Sequence, residues 1–227
     1  MGIDEVLRNA PLFADLDDDD VASLRAHTTE VRVKRGEVLY REGDTGDQLF
    51  MIVRGKVKMG RTAEDGRESL LAILGPGDTF GEVGLFDPGP RVATVTAVID
   101  ASMLCFDHDH LRSWLIGRPK VAEALLRQLA RRLRIGAEAM ADLVFLDVPG
   151  RVAKSLLDLS ARFGTVAAGG GIYVAHDLTQ EELAQLVGAS RETVNKALAE
   201  FVNRGWLRLE GRAVVVLDVE RMRNRAG

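Results

Sequence analysis

The most regular hydrophobic pattern in the chain lies between residues 177 and 201. Apolar residues recur there at helical spacing in two short runs, which Gly188-Ala189 separate. Thr179 and Glu182 have the T-x-x-E spacing of a capping box, which satisfies two backbone amides at the start of a helix. Ser190 is a suitable N-cap for the second run. The segment therefore predicts two helices joined by a tight turn.

The second predicted helix has one apolar side, formed by Val194, Ala197, Leu198 and Phe201. The side facing away from it carries Arg191, Glu192, Asn195 and Lys196. Arginine can fork onto guanine and glutamate can accept from cytosine, and recognition helices meet base edges near their N-termini. The pattern indicates a helix-turn-helix; the alternative is a helical hairpin with a solvated charged face. The predicted DNA-binding residues are Thr179, Ser190, Arg191, Glu192, Thr193, Asn195 and Lys196.

Two β-prone runs follow the second helix. Residues 206–209 and 213–217 flank a short turn at Glu210-Gly211, which predicts a two-stranded wing. The tail, Glu220 to Gly227, contains three arginines that are available for phosphates or are simply solvated. The C-terminal part of the chain is therefore predicted to be a winged helix-turn-helix.

The first part of the chain has a different pattern. Residues 1–28 read as helices, and the carboxylates of Asp17 to Asp20 suit a helix N-terminus. From Thr29 to Asp107, short β-prone runs alternate with glycine turns such as Asp65-Gly66. Many short strands in about eighty residues favour an antiparallel sandwich or jelly roll.

One loop of this strand-rich region carries candidate chemistry. Gly81 and Glu82 open a turn, residues 87–90 form a rigid elbow, and Arg91 follows it. Such a loop offers backbone amides, a carboxylate and a guanidinium to a small anion that carries a sugar hydroxyl. A buried Glu–Arg pair that closes the β-roll would produce the same sequence pattern.

A long helix is predicted after the strands, with Pro119 at its first position. Apolar or small residues recur along it at alternating spacings of four and three, which is the heptad pattern of a coiled-coil dimer. This predicted seam consists of Ala122, Leu126, Leu129, Leu133, Gly136, Met140 and Leu143. Residues 147–150 form the predicted hinge to a further helix over 150–163. The predicted domains are thus 1–118, 119–147 for the dimerisation helix and hinge, and 148–227.

Composition narrows the functional classes. The net charge of −4 divides into −6 before residue 148 and +2 from there on, so the acidic part is not the part predicted to meet DNA. Cys105 is the only cysteine, which excludes an intramolecular disulfide and a cysteine-held metal cluster. No stretch approaches the roughly twenty apolar residues of a membrane span, so a cytoplasmic protein is expected.

Catalysis and metal binding find little support in the sequence. The chain has no P-loop and no Ser/His/Asp order typical of hydrolases, so no enzyme is predicted. His108 and His110 alternate with Asp107 and Asp109 at the start of a predicted helix. We interpret this cluster as a helix cap, and no metal site is predicted.

Four motifs carry a family resemblance over nearly the whole chain: GEVGLFDPGPR, ARRL, FLDVPGRVA and LTQEELAQLVGASRETVNKAL. They resemble the Crp/Fnr family, most closely its actinobacterial branch. The resemblance implies an α+β protein with an N-terminal β-roll (a double-stranded jelly roll) for a cyclic nucleotide, a long dimerisation helix and a C-terminal winged helix-turn-helix. It also implies a homodimeric transcription regulator on a palindromic operator with half-sites like TGTGA, with RNA polymerase as a further partner and no membrane. Arg191, Glu192 and Lys196 would read the half-site.

The resemblance implies cyclic AMP as the effector, but three positions depart from its pattern. Val92 stands where the family has Ser or Thr, and Gly136 and Ala137 stand where it has Thr with Ser or Asn. Losing such a hydrogen-bonding group costs on the order of 1 kcal/mol. We therefore expect a weakened cyclic-AMP site; the alternative is a regulator of the same fold that uses another effector or binds DNA without cyclic AMP. The predicted effector residues are Gly81, Glu82, Val83, Arg91, Val92, Arg132, Gly136 and Ala137.

Overall fold

The computed structural model describes residues 3–13 and 16–227. The chain divides into two compact units, one made of Met1–Gly66 and Leu71–Arg134, the other of Arg67–Leu70 and Ile135–Gly227. The helices expected over residues 1–28 are α1 (Ile3–Asn9) and α2 (Asp18–Ala26). Asp17 caps α2 by accepting from the Asp20 amide at 2.8 Å, as its run of carboxylates indicated. Residues 1, 2, 14 and 15 of that expectation lie outside the described residues.

The expected β-roll is present and consists of two four-stranded sheets. Its strands are β1 (Thr28–Val33), β2 (Val38–Tyr40), β3 (Gln48–Arg54), β4 (Val57–Thr62), β5 (Glu68–Leu74), β6 (Thr79–Phe80), β7 (Thr94–Ala97) and β8 (Ala101–Asp107). The first sheet has the order β1-β8-β3-β6, and the second has the order β2-β7-β4-β5. The strand pairs with a described register are antiparallel.

The first sheet is covered on both faces, and this explains its continuous apolar strands. In β3, Phe50 and Ile52 point into the core between the sheets, whereas Leu49 and Met51 point to the opposite face. That opposite face is covered by α1, α2, α4 (His108–Ile116) and the start of α5 (Pro119–Phe145). Between β6 and β7 the chain forms a single short helix, α3 (Val83–Phe86), in the loop expected to carry the chemistry.

The predicted starts of α4 and α5 are confirmed. Asp107 caps α4 by accepting from the amides of Asp109 and His110, so the Asp-His cluster is a helix cap as interpreted. Pro119 begins α5, which runs from the first unit into the second. The helix predicted over 150–163 is α6 (Val148–Phe163), so the predicted hinge 147–150 was wrong for residues 148–150: they are helical, because Asp147 caps α6 by accepting from the Gly150 amide at 2.9 Å.

The predicted helix-turn-helix is present in the second unit, and the predicted wing is part of a larger sheet. This unit contains β9 (Gly164–Val166), β10 (Ile172–Val174), α7 (Gln180–Val187), α8 (Arg191–Asn203), β11 (Leu207–Glu210), β12 (Ala213–Val216) and α9 (Val219–Ala226). The wing expected as two strands is part of a four-stranded sheet, β11-β12-β10-β9, because β10 pairs along β12 from Ile172↔Val216 to Val174↔Val214.

The sequence predicted only that the arginines of the C-terminal tail are solvated or available for phosphates, and it did not predict a helix there. The tail forms α9, whose Met222 is fully buried against the unit. Arg225 donates to Asp147 at 2.6 Å, and this hydrogen bond lowers the pKa of the Asp147 carboxyl. The tail therefore contributes to the packing of α6, with which α9 makes extensive contact.

None of the helices in the described part of the chain is long and apolar enough to cross a membrane.

Candidate functional site

The predicted effector loop begins at Gly81, where any other residue would be strained. Gly81 has φ +88°, and a Cβ atom there would lie 2.5 Å from the Gln48 carbonyl oxygen and 2.8 Å from Nη1 of Arg91. A positive φ and a close backbone approach are the two conditions that favour glycine. This glycine lets the chain turn from β6 into α3 while Arg91 passes against the backbone.

Glu82, which follows Gly81, is almost fully buried, with 2% of its surface exposed. Its Oε1 pairs with the guanidinium of Arg132 on α5, and Arg132 also donates to the carbonyl of Thr79. The Glu–Arg pair considered as an alternative from the sequence therefore does form, but with Arg132 in place of Arg91. The second oxygen of the carboxylate, Oε2, is buried and has no hydrogen-bond partner among the described residues.

Arg91 is buried beside this pair and is held by neutral groups. Its Nη1 donates to the carbonyls of Gln48 at 2.9 Å and Gly81 at 3.5 Å, and its guanidinium carbon lies 4.3 Å from the ring centre of Tyr40. Its Nε finds no acceptor within the part of the chain that is described. A buried guanidinium without a carboxylate partner favours an anion, because burying an uncompensated charge is costly.

Glu82, Arg91 and Arg132 line one small cavity of about 40 Å³ together with Tyr40, Val83 and Val92. One carboxylate and two guanidiniums leave a net charge of +1 there. Burial raises the pKa of the Tyr40 phenol to about 12, so this hydroxyl stays protonated at neutral pH. The enclosed space exceeds the roughly 10–15 Å³ that one water needs, yet it admits only a small polar group, such as part of a sugar phosphate.

His108, at the start of α4, packs against the effector loop, and the sequence did not predict this contact. A Cβ at Gly84 would lie 3.1 Å from its Cε1, so the imidazole is in contact with the first turn of α3. Burial, with a smaller contribution from Arg91, lowers the pKa of this imidazole. The sequence signal for it was the Asp-His cluster, which marks the helix start and gives no indication of the loop.

The three departures from the family pattern fall at open positions. Val92 follows Arg91 with 53% of its surface exposed, and it lines the cavity. Gly136 and Ala137 are exposed on α5, and no atom lies within 4 Å of a Cβ built at Gly136. Gly81, Glu82, Val83, Arg91, Val92 and Arg132 are brought together around the cavity, whereas Gly136 and Ala137 belong to the second unit.

The helix-turn-helix has the local geometry that the sequence predicted. Both halves of the capping box form, since Thr179 Oγ1 accepts from the Glu182 amide and Glu182 accepts from the Thr179 amide. Gly188 ends α7 in the left-handed conformation at φ +65°. Ser190 then caps α8 by accepting from the Thr193 amide at 3.2 Å.

Arg151 on α6 fixes the position of this turn, and sequence reasoning missed it. Its Nε donates to the carbonyl of Val187 at 2.9 Å and its Nη2 to that of Gly188 at 3.2 Å. Its Nη1 donates to the carbonyl of Leu146 at 2.8 Å. These bonds satisfy carbonyls that a helix end leaves without partners. One arginine in a helix gives no sequence signal for such a long-range role.

The predicted reading face of α8 is largely exposed. Arg191, Glu192 and Lys196 are exposed, and Glu192 pairs with Lys196 at 2.7 Å along the helix. Asn195 is half-buried, and its Oδ1 is shielded from water without a partner among the described residues. The apolar residues Val194, Ala197, Leu198 and Phe201 are buried, as expected. The Arg191 and Glu192 side chains are thus exposed at the helix N-terminus, which is the part of a recognition helix that meets base edges.

The predicted seam of α5 is apolar and largely uncovered in the single chain. Leu126, Leu133, Met140 and Leu143 are each between 56% and 77% exposed. A row of large exposed apolar side chains on one helix is typical of an interface with another chain.

Sequence models of two domain families match the chain. Residues 30–116 match the cyclic nucleotide-binding domain, and residues 150–225 match the Crp-like helix-turn-helix domain. The chain is also 54% identical, over 99% of its length and 100% of the relative's, to the CRP-like cAMP-activated global transcriptional regulator of Mycobacterium tuberculosis strain H37Rv. It belongs to the Crp/Fnr family. Its similarity to the mycobacterial protein places it in the actinobacterial branch.

Two solved structures have the same fold. FixK2 from Bradyrhizobium japonicum superposes with a TM-score of 0.78 at 27% identity, over 88% of this chain and 98% of that chain. The c-di-GMP responsive global regulator CLP from Xanthomonas campestris has a TM-score of 0.76 at 26% identity, over 88% and 99%. This regulator thus combines a cyclic-nucleotide-type β-roll with a winged helix-turn-helix.

The chain is therefore a DNA-binding transcription regulator, as the resemblance implied. The mycobacterial relative and CLP are both named as global regulators. Within residues 3–13 and 16–227, no group of three or more His, Cys, Asp or Glu side chains is arranged to hold a metal ion.

Proposed function

We propose that this regulator acts as a homodimer on a palindromic operator, and that it binds cyclic nucleotides weakly and with little discrimination between bases. The observation that carries the proposal is the cavity beside Arg91. A buried guanidinium and the unpartnered Oε2 of Glu82 provide for a phosphate and a sugar hydroxyl. The adjoining residue, Val92, offers a methyl group where a hydroxyl would meet the same phosphate.

The proposed dimer uses the exposed seam of α5. Covering Leu126 and Leu133 removes apolar surface from water, at about 25 cal/mol per Å². Dimers of helix-turn-helix proteins read two half-sites about one helical turn apart, so the operator should be two-fold symmetric with half-sites like TGTGA. We assign the reading of this half-site to Arg191, Glu192 and Lys196, with Thr179, Ser190, Thr193 and Asn195 near the DNA backbone.

The names of two relatives support a nucleotide as the effector, but they name different nucleotides. The mycobacterial relative is named as cAMP-activated, whereas CLP is named as responsive to c-di-GMP. In this chain, Val92, Gly136 and Ala137 present no side-chain hydroxyl to a nucleotide. Each missing hydrogen bond costs on the order of 1 kcal/mol, so cyclic AMP should bind more weakly than to a site that has all three.

Two measurements on the full-length protein test the proposal. Titration calorimetry should give similar, weak affinities for cyclic AMP and cyclic GMP, and Arg91→Gln should abolish both. Fluorescence anisotropy with a palindromic TGTGA duplex should show specific binding by the wild-type protein. Sub-micromolar cyclic-AMP binding with strong discrimination against cyclic GMP would refute the proposed weakening, and absence of specific duplex binding would refute the proposed half-site.

A second candidate function is operator binding that needs no cyclic nucleotide. The open space around Gly136 favours it, because a small residue lets two helices of a dimer approach closely without a ligand. Operator affinity that is unchanged by saturating cyclic AMP would support this candidate. A large increase would instead support ordinary nucleotide control.

The remaining assignments are part of the same proposal. We assign residues 1–118 to effector binding, 119–147 to dimerisation and the hinge, and 148–227 to DNA. RNA polymerase is the further partner that a regulator bound at a promoter requires, and the cytoplasm is the compartment where both meet the operator.

A further inference from the structure

A second and larger cavity lies in the first unit between α2 and α4. Its volume is about 220 Å³. An apolar protein cavity of about 150 Å³ is large enough to stay dry and bind benzene. This cavity therefore has room for a substituted six-membered aromatic ring. It shares no lining residue with the cavity beside Arg91.

The floor of the cavity is apolar and rigid. Leu24, Phe106 and Leu111 are buried, and Trp114 forms one wall. Arg118 stacks on Trp114 with its guanidinium carbon 4.2 Å from the ring centre, and Asp20 accepts from the same guanidinium at 2.6 Å. Trp114 is thus packed against a paired guanidinium and offers an aromatic face for ring contacts.

Two imidazoles, His27 and His110, line the cavity with their ring centres 5.6 Å apart, and the side chains of Ser23, Ser113 and Asp107 line it as well. Nδ1 of His27 lies 2.9 Å from the carbonyl oxygen of Ser23, which only accepts, so Nδ1 carries the proton. Nδ1 of His110 lies 3.2 Å from Asp107 Oδ1. Because backbone amides lower the pKa of this carboxyl, Asp107 is ionised and also accepts. With the Nδ1 proton placed in this way, the acceptor of the neutral imidazole is Nε2.

This polarity selects the ligand. The imidazole acceptors favour a ligand with a hydrogen-bond donor, and the charge of Asp107 repels a carboxylate. We propose that the cavity between α2 and α4 binds a monocyclic aromatic compound that carries a hydroxyl donor, of which a phenol is the simplest. The ring packs on Phe106 and Trp114, and the hydroxyl donates to an imidazole Nε2.

Occupation of this cavity would stabilise the segment that supports the effector loop. Phe106 and Asp107 line the cavity, and the next residue, His108, contacts the first turn of α3 through Gly84. The proposed ligand is thus a second small molecule, distinct from the nucleotide, at the junction of β8 and α4. The proposal of this second site does not depend on whether the protein responds to cyclic AMP.

Calorimetry of the full-length protein with three matched compounds tests the chemistry. p-Cresol should bind once per chain with a Kd of about 10⁻⁴–10⁻³ M, the range expected for a ligand of about eight heavy atoms. 4-Methylbenzoate, which replaces the donor by an anion, and 4-methylanisole, which lacks the donor, should each bind at least about tenfold more weakly, a loss of one hydrogen bond. No measurable p-cresol binding, or equal binding of the anion, would overturn the proposal.

Two cavity-filling variants and a neighbouring control test the location. Ser23→Phe and Ser113→Phe each place a ring into the cavity from opposite walls and should abolish p-cresol binding. Ala22→Phe, one residue earlier on α2, adds the same ring at an exposed position outside the lining and should leave binding unchanged. Cyclic-nucleotide binding of each variant checks that the β-roll is folded. Retained p-cresol binding in both filled variants would place the compound elsewhere and refute this site.

Discussion

Val92→Thr is the smallest change that tests the effector site, because valine and threonine have the same shape and differ in one hydroxyl. Val92 has 53% of its surface exposed, so the new hydroxyl stays accessible to water and the substitution leaves no buried polar group without a partner. Exposed substitutions of this kind change the free energy of unfolding by at most about 0.5 kcal/mol. Any change in nucleotide affinity is then a property of the site.

The expected magnitude follows from one hydrogen bond to a charged phosphate. Such bonds contribute about 1.5–3 kcal/mol where water is excluded, and less at an exposed position. Since Val92 lies at the open side of the cavity, we expect about 1–1.4 kcal/mol, which corresponds to roughly a five- to tenfold lower Kd for cyclic AMP. Cyclic GMP, which carries the same cyclic phosphate, should gain by the same factor.

Titration calorimetry with both nucleotides measures this change. Val166→Thr is the matched control, because Val166 lies on β9 in the other unit and is 92% exposed. The control should bind both nucleotides as the wild type does. If Val92→Thr left both dissociation constants unchanged, the position after Arg91 would not face the phosphate, and the interpretation of this loop would be wrong.

Three further predictions concern dimer formation, base recognition by α8 and the pH dependence of stability. Leu133→Glu places like charges on the seam and should dissociate the dimer in sedimentation experiments, whereas Arg134→Glu, off the seam, should not. Arg191→Ala and Glu192→Ala should each cost about 1–3 kcal/mol of base discrimination in a panel of substituted half-sites, and unchanged preferences in both would refute the assignment of α8. Because the pKa of His108 is lowered in the folded state, the unfolded state binds the extra proton, so stability should fall as pH drops below about 6.5. His108→Gln should reduce that loss in thermal unfolding at pH 5 relative to pH 8.

The parts of the fold that the sequence predicted well are those fixed by neighbouring residues. The capping box at Thr179, the left-handed Gly188 and the Ser190 cap depend on contacts within four residues of each other. The cap of α4 by Asp107 is equally local. Short polar side chains at these positions have few alternatives to the backbone amides beside them, so the pattern determines the structure.

The features that were missed depend on distant contacts. Strands β9 and β10 have three residues each; β10 pairs with β12 and β9 pairs with β10, and their own glycine-rich sequence does not predict these partners. Glu82 takes Arg132, fifty residues away, although Arg91 is nearer in the sequence. Arg151 reaches the end of α7 across thirty-six residues. Local propensity carries no information on such partners, which are chosen by packing.

The pairing of Glu82 with Arg132 limits how strongly a bound nucleotide can change the operator affinity of this regulator. The pair forms through Oε1, and Oε2 has no hydrogen-bond partner among the described residues. A nucleotide can therefore bind Glu82 without changing the contact between the effector loop and α5. A ligand shifts a conformational equilibrium only by its differential affinity for the two states, and reversing a 1:99 population needs about 5.5 kcal/mol. Hydroxyls at positions 136 and 137 would add contacts on α5 that exist only with ligand bound, but Gly136 and Ala137 supply none. Strong binding at Arg91 would thus still give weak control of operator binding in this chain.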